Sequence, residues 1–215
     1  MARSKPYVIL SAATSIDGKI ATRTGKSKLS SQRDLERLHR LRSRVDAVLV
    51  GKKTISMDNP LLTVRHVRGK NPARIVLDPR ASMPANSRVV MTAGDVPTIA
   101  AVSEMAPARR IANLEKRGVE VIMCGRKEID LKKLLAILAG RGMKRVLVEG
   151  GGETNWHFLR DGLVDEIVVT ITPYVIGGNG AVSLVGGEGF AGVICSFRLK
   201  EITRMGSELL LRYVP

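Results

Sequence analysis

Short apolar runs alternate along the chain with segments in which leucines and other apolar residues recur every three or four positions. The runs predict buried strands, because a continuous apolar stretch suits a sheet covered on both faces. They fall at 7–10, 45–50, 74–78, 89–91, 98–102, 119–123 and 145–149, with a longer one at 165–172. The periodic segments predict helices. Ser30 and Ser31 offer caps for a helix that carries Leu35, Leu38 and Leu41 on one face and ends near Ser43. Its other face holds Arg33, Arg37, Arg40 and Arg44, a pattern that fits solvent. Pro107 opens a second helix that Gly118 closes. Asp130 caps a third, with Leu131, Leu134, Leu135 and Leu138 on one face and Gly140 or Gly142 at its end. A short fourth helix, beyond Trp156, ends near Gly162.

Near the C-terminus the pattern changes. Two strand-like segments, 197–205 and 208–213, are separated only by Gly206-Ser207, which is a two-residue hairpin signal. Strands alternating with helices and ending in a hairpin predict an α/β fold: a mainly parallel mixed sheet, helices on both faces and a C-terminal antiparallel hairpin. No repeat, low-complexity tract or linker divides the chain, so a single domain over 1–215 is expected.

Composition narrows the function. Aromatics are 3% of residues, so aliphatic side chains must fill the core. Lys and Arg outnumber acids by 35 to 20, a formal charge of +15. That excess suits nucleic acid or a small phosphorylated ligand. The cations are scattered and little interleaved with aromatics, which weighs against nucleic acid. Cys124 and Cys195 form no CxxC and sit in apolar stretches, as buried free thiols do. His39, His66 and His157 lack metal-ligand spacing, so no metal is expected. No leader or membrane-length apolar run is visible, which predicts a cytoplasmic protein.

Two clusters carry candidate chemistry. Glu149-Gly150-Gly151-Gly152-Glu153-Thr154 falls where a strand ends and a helix begins, the edge at which parallel sheets bind ligands. Glycines there let backbone N–H groups approach a phosphate, although a purely structural turn uses glycine equally well. Glu149 must be hydrogen-bonded or face a cleft; it either anchors a substrate, handles a proton or ties its own loop. The second cluster, 51–65, follows another strand. Thr54 and Asp58 would share a face of a helical turn, Asp58-Asn59-Pro60 would end it, and Arg65 could grip a phosphate or face solvent.

The motifs Ser15-Ile16-Asp17-Gly18-Lys19, Val50-Gly51-x-x-Thr54, Asp58-Asn59-Pro60-x-Leu62-Thr63-Val64-Arg65, Arg74-Ile75-Val76-Leu77-Asp78, Glu149-Gly150-Gly151, Leu163-Val164-Asp165-Glu166 and Pro173-x-x-x-Gly177-Gly178 occur in order. Together they resemble the reductases of riboflavin biosynthesis, related to the C-terminal half of the bacterial deaminase–reductase. The H-x-E and P-C-x-x-C of a zinc deaminase are missing, so the chain looks most like the stand-alone archaeal and fungal type. The resemblance implies a dihydrofolate-reductase-like fold, a homodimer, and NADPH-dependent reduction of the ribosyl group of 2,5-diamino-6-ribosylamino-4(3H)-pyrimidinone 5′-phosphate. It places Ala13, Thr54, Asp58, Pro79, Arg80, Ile129, Gly150, Gly151, Gly152, Glu153 and Thr154 at the cofactor. Ser27, Arg42, Leu62, Arg65 and Glu149 match substrate positions, with Glu149 and Asp58 the candidates for catalysis and Arg42 an exception to the solvated face. Pro79 stands where members often have serine, which leaves NADH open, and Ser11 stands where bacterial members often have lysine. A dihydrofolate reductase and a basic nucleic-acid-binding protein are the rival readings.

Overall fold

The computed structural model describes residues 5–192 and 196–215; Cys195 lies outside the described residues. In chain order the elements are β1 (Tyr7–Thr14), β2 (Lys19–Ala21), α1 (Gln32–Arg42), β3 (Ala47–Gly51), α2 (Lys52–Asp58), β4 (Ala73–Leu77), α3 (Arg88–Met91), β5 (Thr98–Val102) and α4 (Ala108–Glu115). They continue with β6 (Glu120–Met123), α5 (Leu131–Gly140), β7 (Arg145–Val148), α6 (Gly152–Arg160), β8 (Glu166–Ile171), β9 (Val182–Ser183), β10 (Arg198–Met205) and β11 (Glu208–Val214).

Nine strands form one sheet in the order β10-β11-β8-β1-β7-β3-β4-β5-β6. From β8 to β6 all pairings are parallel, while β11 runs antiparallel to β8 and β10 to β11. The mixed sheet with a terminal hairpin is therefore as the pattern predicts. Alternate residues of each strand feed two cores. Val8, Leu10, Leu49, Val146 and Val148 pack with the leucines of α5 and with Phe158 of α6. Ile9, Val48, Val50, Val76 and Leu147 pack with Ile55, Val89, Val90 and Leu114 on the opposite face. Each fully buried leucine of this kind contributes about 1.5–3 kcal/mol.

Caps behave as expected at two helices. Ser31 accepts from the Asp34 N–H at 3.3 Å and Asp130 from the Lys133 N–H at 2.9 Å. Ser31 is itself fixed from the far end of the chain, since its N–H donates to Glu208 at 2.8 Å.

Two expectations are corrected, and one buried cation is unforeseen. Residues 89–91 form helix α3, not a strand. Val89 and Val90 are both buried on one core, whereas strand neighbours would point to opposite faces. β4 already pairs with β3 and β5, so the sheet has no place for a strand between them. In α1 the leucines are only half-buried, and Asp34, His39 and Arg42 are the buried residues. Polar partners explain this inversion: Asp34 accepts from Thr170 Oγ1 at 2.7 Å and from Arg37 Nε at 2.7 Å. Finally, Arg74 is wholly buried. Its guanidinium donates to the carbonyls of Leu61, Val89, Thr92 and Val96 and to the hydroxyls of Thr92 and Thr98. Burial holds its pKa down to about 10.

Candidate functional site

The parallel strands all end on one edge of the sheet, and the two candidate clusters meet there. The Gly51 N–H donates to the Gly150 carbonyl at 2.9 Å, and the Gly151 N–H to Thr54 Oγ1 at 3.1 Å. Gly51 is required by this approach, because a Cβ there would stand 2.5 Å from Thr154 Oγ1. Gly151 is the N-cap of α6 and uses no side-chain cap. The N–H groups of Gly152, Glu153 and Thr154 open the helix, where no intrahelical acceptor exists. No acceptor outside the helix takes them among the described residues. This donor set, with the helix dipole behind it, suits a pyrophosphate.

A strap from β9 to Gly187 runs against the same helix end. A Cβ on Gly152 would lie 2.4 Å from the Ser183 carbonyl, and one on Gly187 would lie 2.1 Å from the Trp156 ring. Asn155 holds the strap by donating from Nδ2 to the Leu184 carbonyl at 2.8 Å. Gly186 and Gly187 were not singled out by sequence; the signal was a second glycine pair, uninterpretable without its partner Trp156.

Beyond the glycines lies a charged patch. Arg42 grips Glu149 at two points, Nε to Oε1 at 2.7 Å and Nη2 to Oε2 at 2.6 Å. Both side chains are about nine-tenths buried. Burial opposes the Arg42 charge, but Glu149 more than offsets it and raises its pKa. Arg42 also donates to the Thr63 carbonyl at 3.0 Å, which draws the 59–65 loop onto α1. His39 adds a second tie, with Nδ1 accepting the Arg65 N–H at 2.9 Å. Burial, then the charges of Arg42, Arg65 and His66, press the His39 pKa down to about 4.

Asp58 ends α2 and accepts from Ser27 at 3.1 Å; burial raises its pKa against that hydrogen bond. Leu62 turns its side chain into the core, 1% exposed, with φ of 55°. Only its backbone is left to line the crevice. Ala13 is the penultimate residue of β1, opposite Thr170 of β8.

Farther along the edge, the loops after β4, β5 and β6 adjoin. The Pro79 carbonyl accepts the Ser103 N–H at 3.1 Å and its hydroxyl at 2.8 Å. Arg80 is exposed. Ile129 packs partly on the core, beside an open hollow of about 670 Å³ lined by Glu104, Met105, Arg126, Lys127 and Glu128. The Asp17 of the first motif serves as a latch. Its carboxylate accepts the N–H groups of Ile176 and Gly177 at 3.0 and 2.7 Å, which hold its pKa at about 2. That contact joins the first sequence motif to the last.

A covered sheet whose carboxyl edge joins a glycine-turned helix start to a basic loop defines an α/β protein with a candidate ligand crevice at that edge. Its fold is shared with dihydrofolate reductase from Enterococcus faecalis, at a TM-score of 0.58 and 12% identity, over 97% of this chain and 95% of that one. RibD from Acinetobacter baumannii superposes on the whole chain at a TM-score of 0.86 with 25% identity, and this chain spans 59% of that longer protein. Residues 6–211 match the RibD C-terminal domain family, and the chain belongs to it. It is 44% identical over 214 residues to the 2,5-diamino-6-ribosylamino-4(3H)-pyrimidinone 5′-phosphate reductase of Methanothermobacter thermautotrophicus, covering 97% of this chain and 98% of that protein. The enzyme of the same name from Aquifex aeolicus is 40% identical, over 97% and 96% of the two chains.

Proposed function

We propose that the chain reduces the ribosyl group of 2,5-diamino-6-ribosylamino-4(3H)-pyrimidinone 5′-phosphate to the ribitylamino product, with NADPH as hydride donor. The observation that carries the reading is the union of the two loops: Gly151 meets Thr54, and Glu149 and Arg42 follow within the same crevice. The open N–H groups of α6 suit the pyrophosphate, with Thr54 and Asp58 flanking it from α2. Pro79, Arg80 and Ile129 belong to the loops after β4 and β6 that we assign to the adenosine end, and Arg80 is an exposed cation available to a 2′-phosphate. Ala13, near the carboxyl end of β1, is the position we assign to the nicotinamide.

When bound, the dinucleotide supplies the hydride. The chain's own residues supply position and charge. A closed furanose has no acceptor at C1′, so the sugar ring must open to an imine before reduction. Asp58, whose proton affinity burial raises, is placed to hold or pass a proton. Glu149 already gives both oxygens to Arg42, so it acts on the pyrimidine through its remaining lone pairs while Arg42 fixes its orientation. Arg65 and Ser27 hold the 5′-phosphate.

We further propose that residues 1–215 act as one reductase domain, in the cytoplasm, as a homodimer. No helix among the described residues is long and apolar enough to cross a membrane. Exposed Leu199, Ile202 and Leu209 on the terminal hairpin supply an apolar surface for self-association.

Anaerobic incubation with the ribosylaminopyrimidine phosphate and either dinucleotide tests the reading, followed by nicotinamide absorbance. Oxidation of NADPH that depends on this substrate is the expected result. Turnover of dihydrofolate in its place would overturn it.

A further inference from the structure

We propose that Arg88 is a second phosphate-binding cation, which closes with Arg65 on the 5′-phosphate of the sugar substrate; the inference rests on the reading above. Both side chains are exposed. Neither takes part in an ion pair among the described residues. Arg65 donates from its side chain only to Thr63 Oγ1, at 3.0 Å, which leaves most of its five donors to meet an incoming group.

The frame that carries the two cations is built from hydrogen bonds between the 59–65 loop and its neighbours. The Arg88 N–H donates to Asn59 Oδ1 at 2.7 Å, which seats the start of α3 on the loop that leads to Arg65. Beneath them Arg74 donates to Leu61 of that loop at 3.3 Å, to Val89 of α3 at 3.0 Å and to Thr92, which caps α3, at 2.9 Å. A single guanidinium therefore pins both banks. His39 and Arg42 fix the far end of the same loop.

The electrostatics point the same way. Burial first, then the charges of Arg42 and Arg88, lower the Arg65 pKa. The nearby carboxylates are committed, with Glu149 on Arg42 and Asp58 on Ser27. Like charges fixed in place without a counter-ion are unfavourable, and a dianion between them removes that repulsion. Guanidinium forks match the oxygen spacing of a phosphate, so the chemical class is a phosphate monoester on a sugar.

Ribose 5-phosphate is the probe, titrated calorimetrically into the full chain and into Arg65→Ala, Arg88→Ala and Lys132→Ala. Lys132 is exposed on α5, on the other face of the sheet, and serves as the charge control. Arg88→Ala keeps the backbone donor to Asn59. It is expected to weaken binding about tenfold, as is Arg65→Ala, equivalent to about 1.4 kcal/mol each. Lys132→Ala should bind as the unsubstituted chain does. In turnover, Arg88→Ala should raise KM for the pyrimidine substrate while kcat and the KM for NADPH stay within about twofold. Unchanged affinity in Arg88→Ala, or no binding of the probe to the unsubstituted chain, overturns the clamp. Probe binding lost in Arg88→Ala without any substrate reduction by the parent chain would sink the functional reading and leave the clamp standing.

Discussion

Arg42 and Glu149, 107 positions apart, close on each other through two parallel hydrogen bonds in a nearly dry setting. The pair joins the C-terminal end of the first helix to the residue that follows β7, and so ties α1 to the edge of the crevice. Removing one partner of such a pair leaves a buried charge unmatched, at about 3–5 kcal/mol. Arg42→Ala should therefore lower stability by about that amount. The double variant Arg42→Ala/Glu149→Ala should lose less than the two single losses combined. Urea unfolding of the four chains measures this, and strict additivity would show that the pair is not coupled.

Gly151 and Gly152 should respond in opposite ways. A Cβ on Gly151 would meet only Thr54 Oγ1, at an ordinary 3.8 Å. Gly151→Val should thus fold with near-parental stability, yet cover the helix start and abolish dinucleotide binding. Gly152→Ala would press on a carbonyl at 2.4 Å and force the strap away. Its melting temperature should fall. Dye-monitored melting with and without NADPH separates the two cases: the Gly151 variant loses only the ligand-induced shift.

His39 makes stability depend on pH in a defined window. Its folded pKa, about 4, lies below the unfolded value of about 6.5. The unfolded chain therefore binds the proton more readily, and the stabilising contribution is complete above pH about 6.5 and is lost as pH falls towards 4. Protonation also destroys the acceptor for the Arg65 N–H. His39→Asn, which keeps an acceptor without the titration, should flatten the fall between these limits. Parallel slopes for the two chains in unfolding experiments across that range would refute the assignment.

Arg74 is a cation satisfied by carbonyl and hydroxyl oxygens rather than by a carboxylate. Arg74→Met leaves several buried acceptors unmatched, each at about 1–3 kcal/mol. Stability should fall by more than about 3 kcal/mol. Because Leu61 is released as well, KM for the pyrimidine substrate should rise more than KM for the dinucleotide. Chemical denaturation and steady-state kinetics on the same preparation check both halves.

Much of this architecture was legible before folding. Runs at Val146-Leu147-Val148 or Ile99-Ala100-Ala101 have no polar face, so they announce strands covered on both sides. The Gly206-Ser207 hairpin was equally plain. What escaped were elements defined by partners far away in the chain. The two residues of β9 exist only because β2 pairs with them. Val89-Val90 reads as strand by propensity, and the already complete pairing of β4 overrides it. The burial of Asp34, His39 and Arg42 was hidden because each has a hydrogen-bond partner elsewhere in the chain: Thr170, the Arg65 N–H and Glu149. For the candidate site, both loops and Glu149 stood out as motifs at strand ends. The grip of Arg42 on Glu149 did not, since spacing along the sequence carries no trace of it. Arg88 escaped because its seat on Asn59 is made by a backbone group, which any residue would offer.

The place of β1 bears on how the protein is made. This strand is synthesised first, yet both of its neighbours, β7 and β8, come from the last third of the chain. A nascent polypeptide that has not yet reached Arg145 leaves both edges of this strand bare, where stray strands can add. Closure must await the tail, so folding should be slow and post-translational, and shortening the gene from its 3′ end would yield aggregates rather than a smaller working reductase.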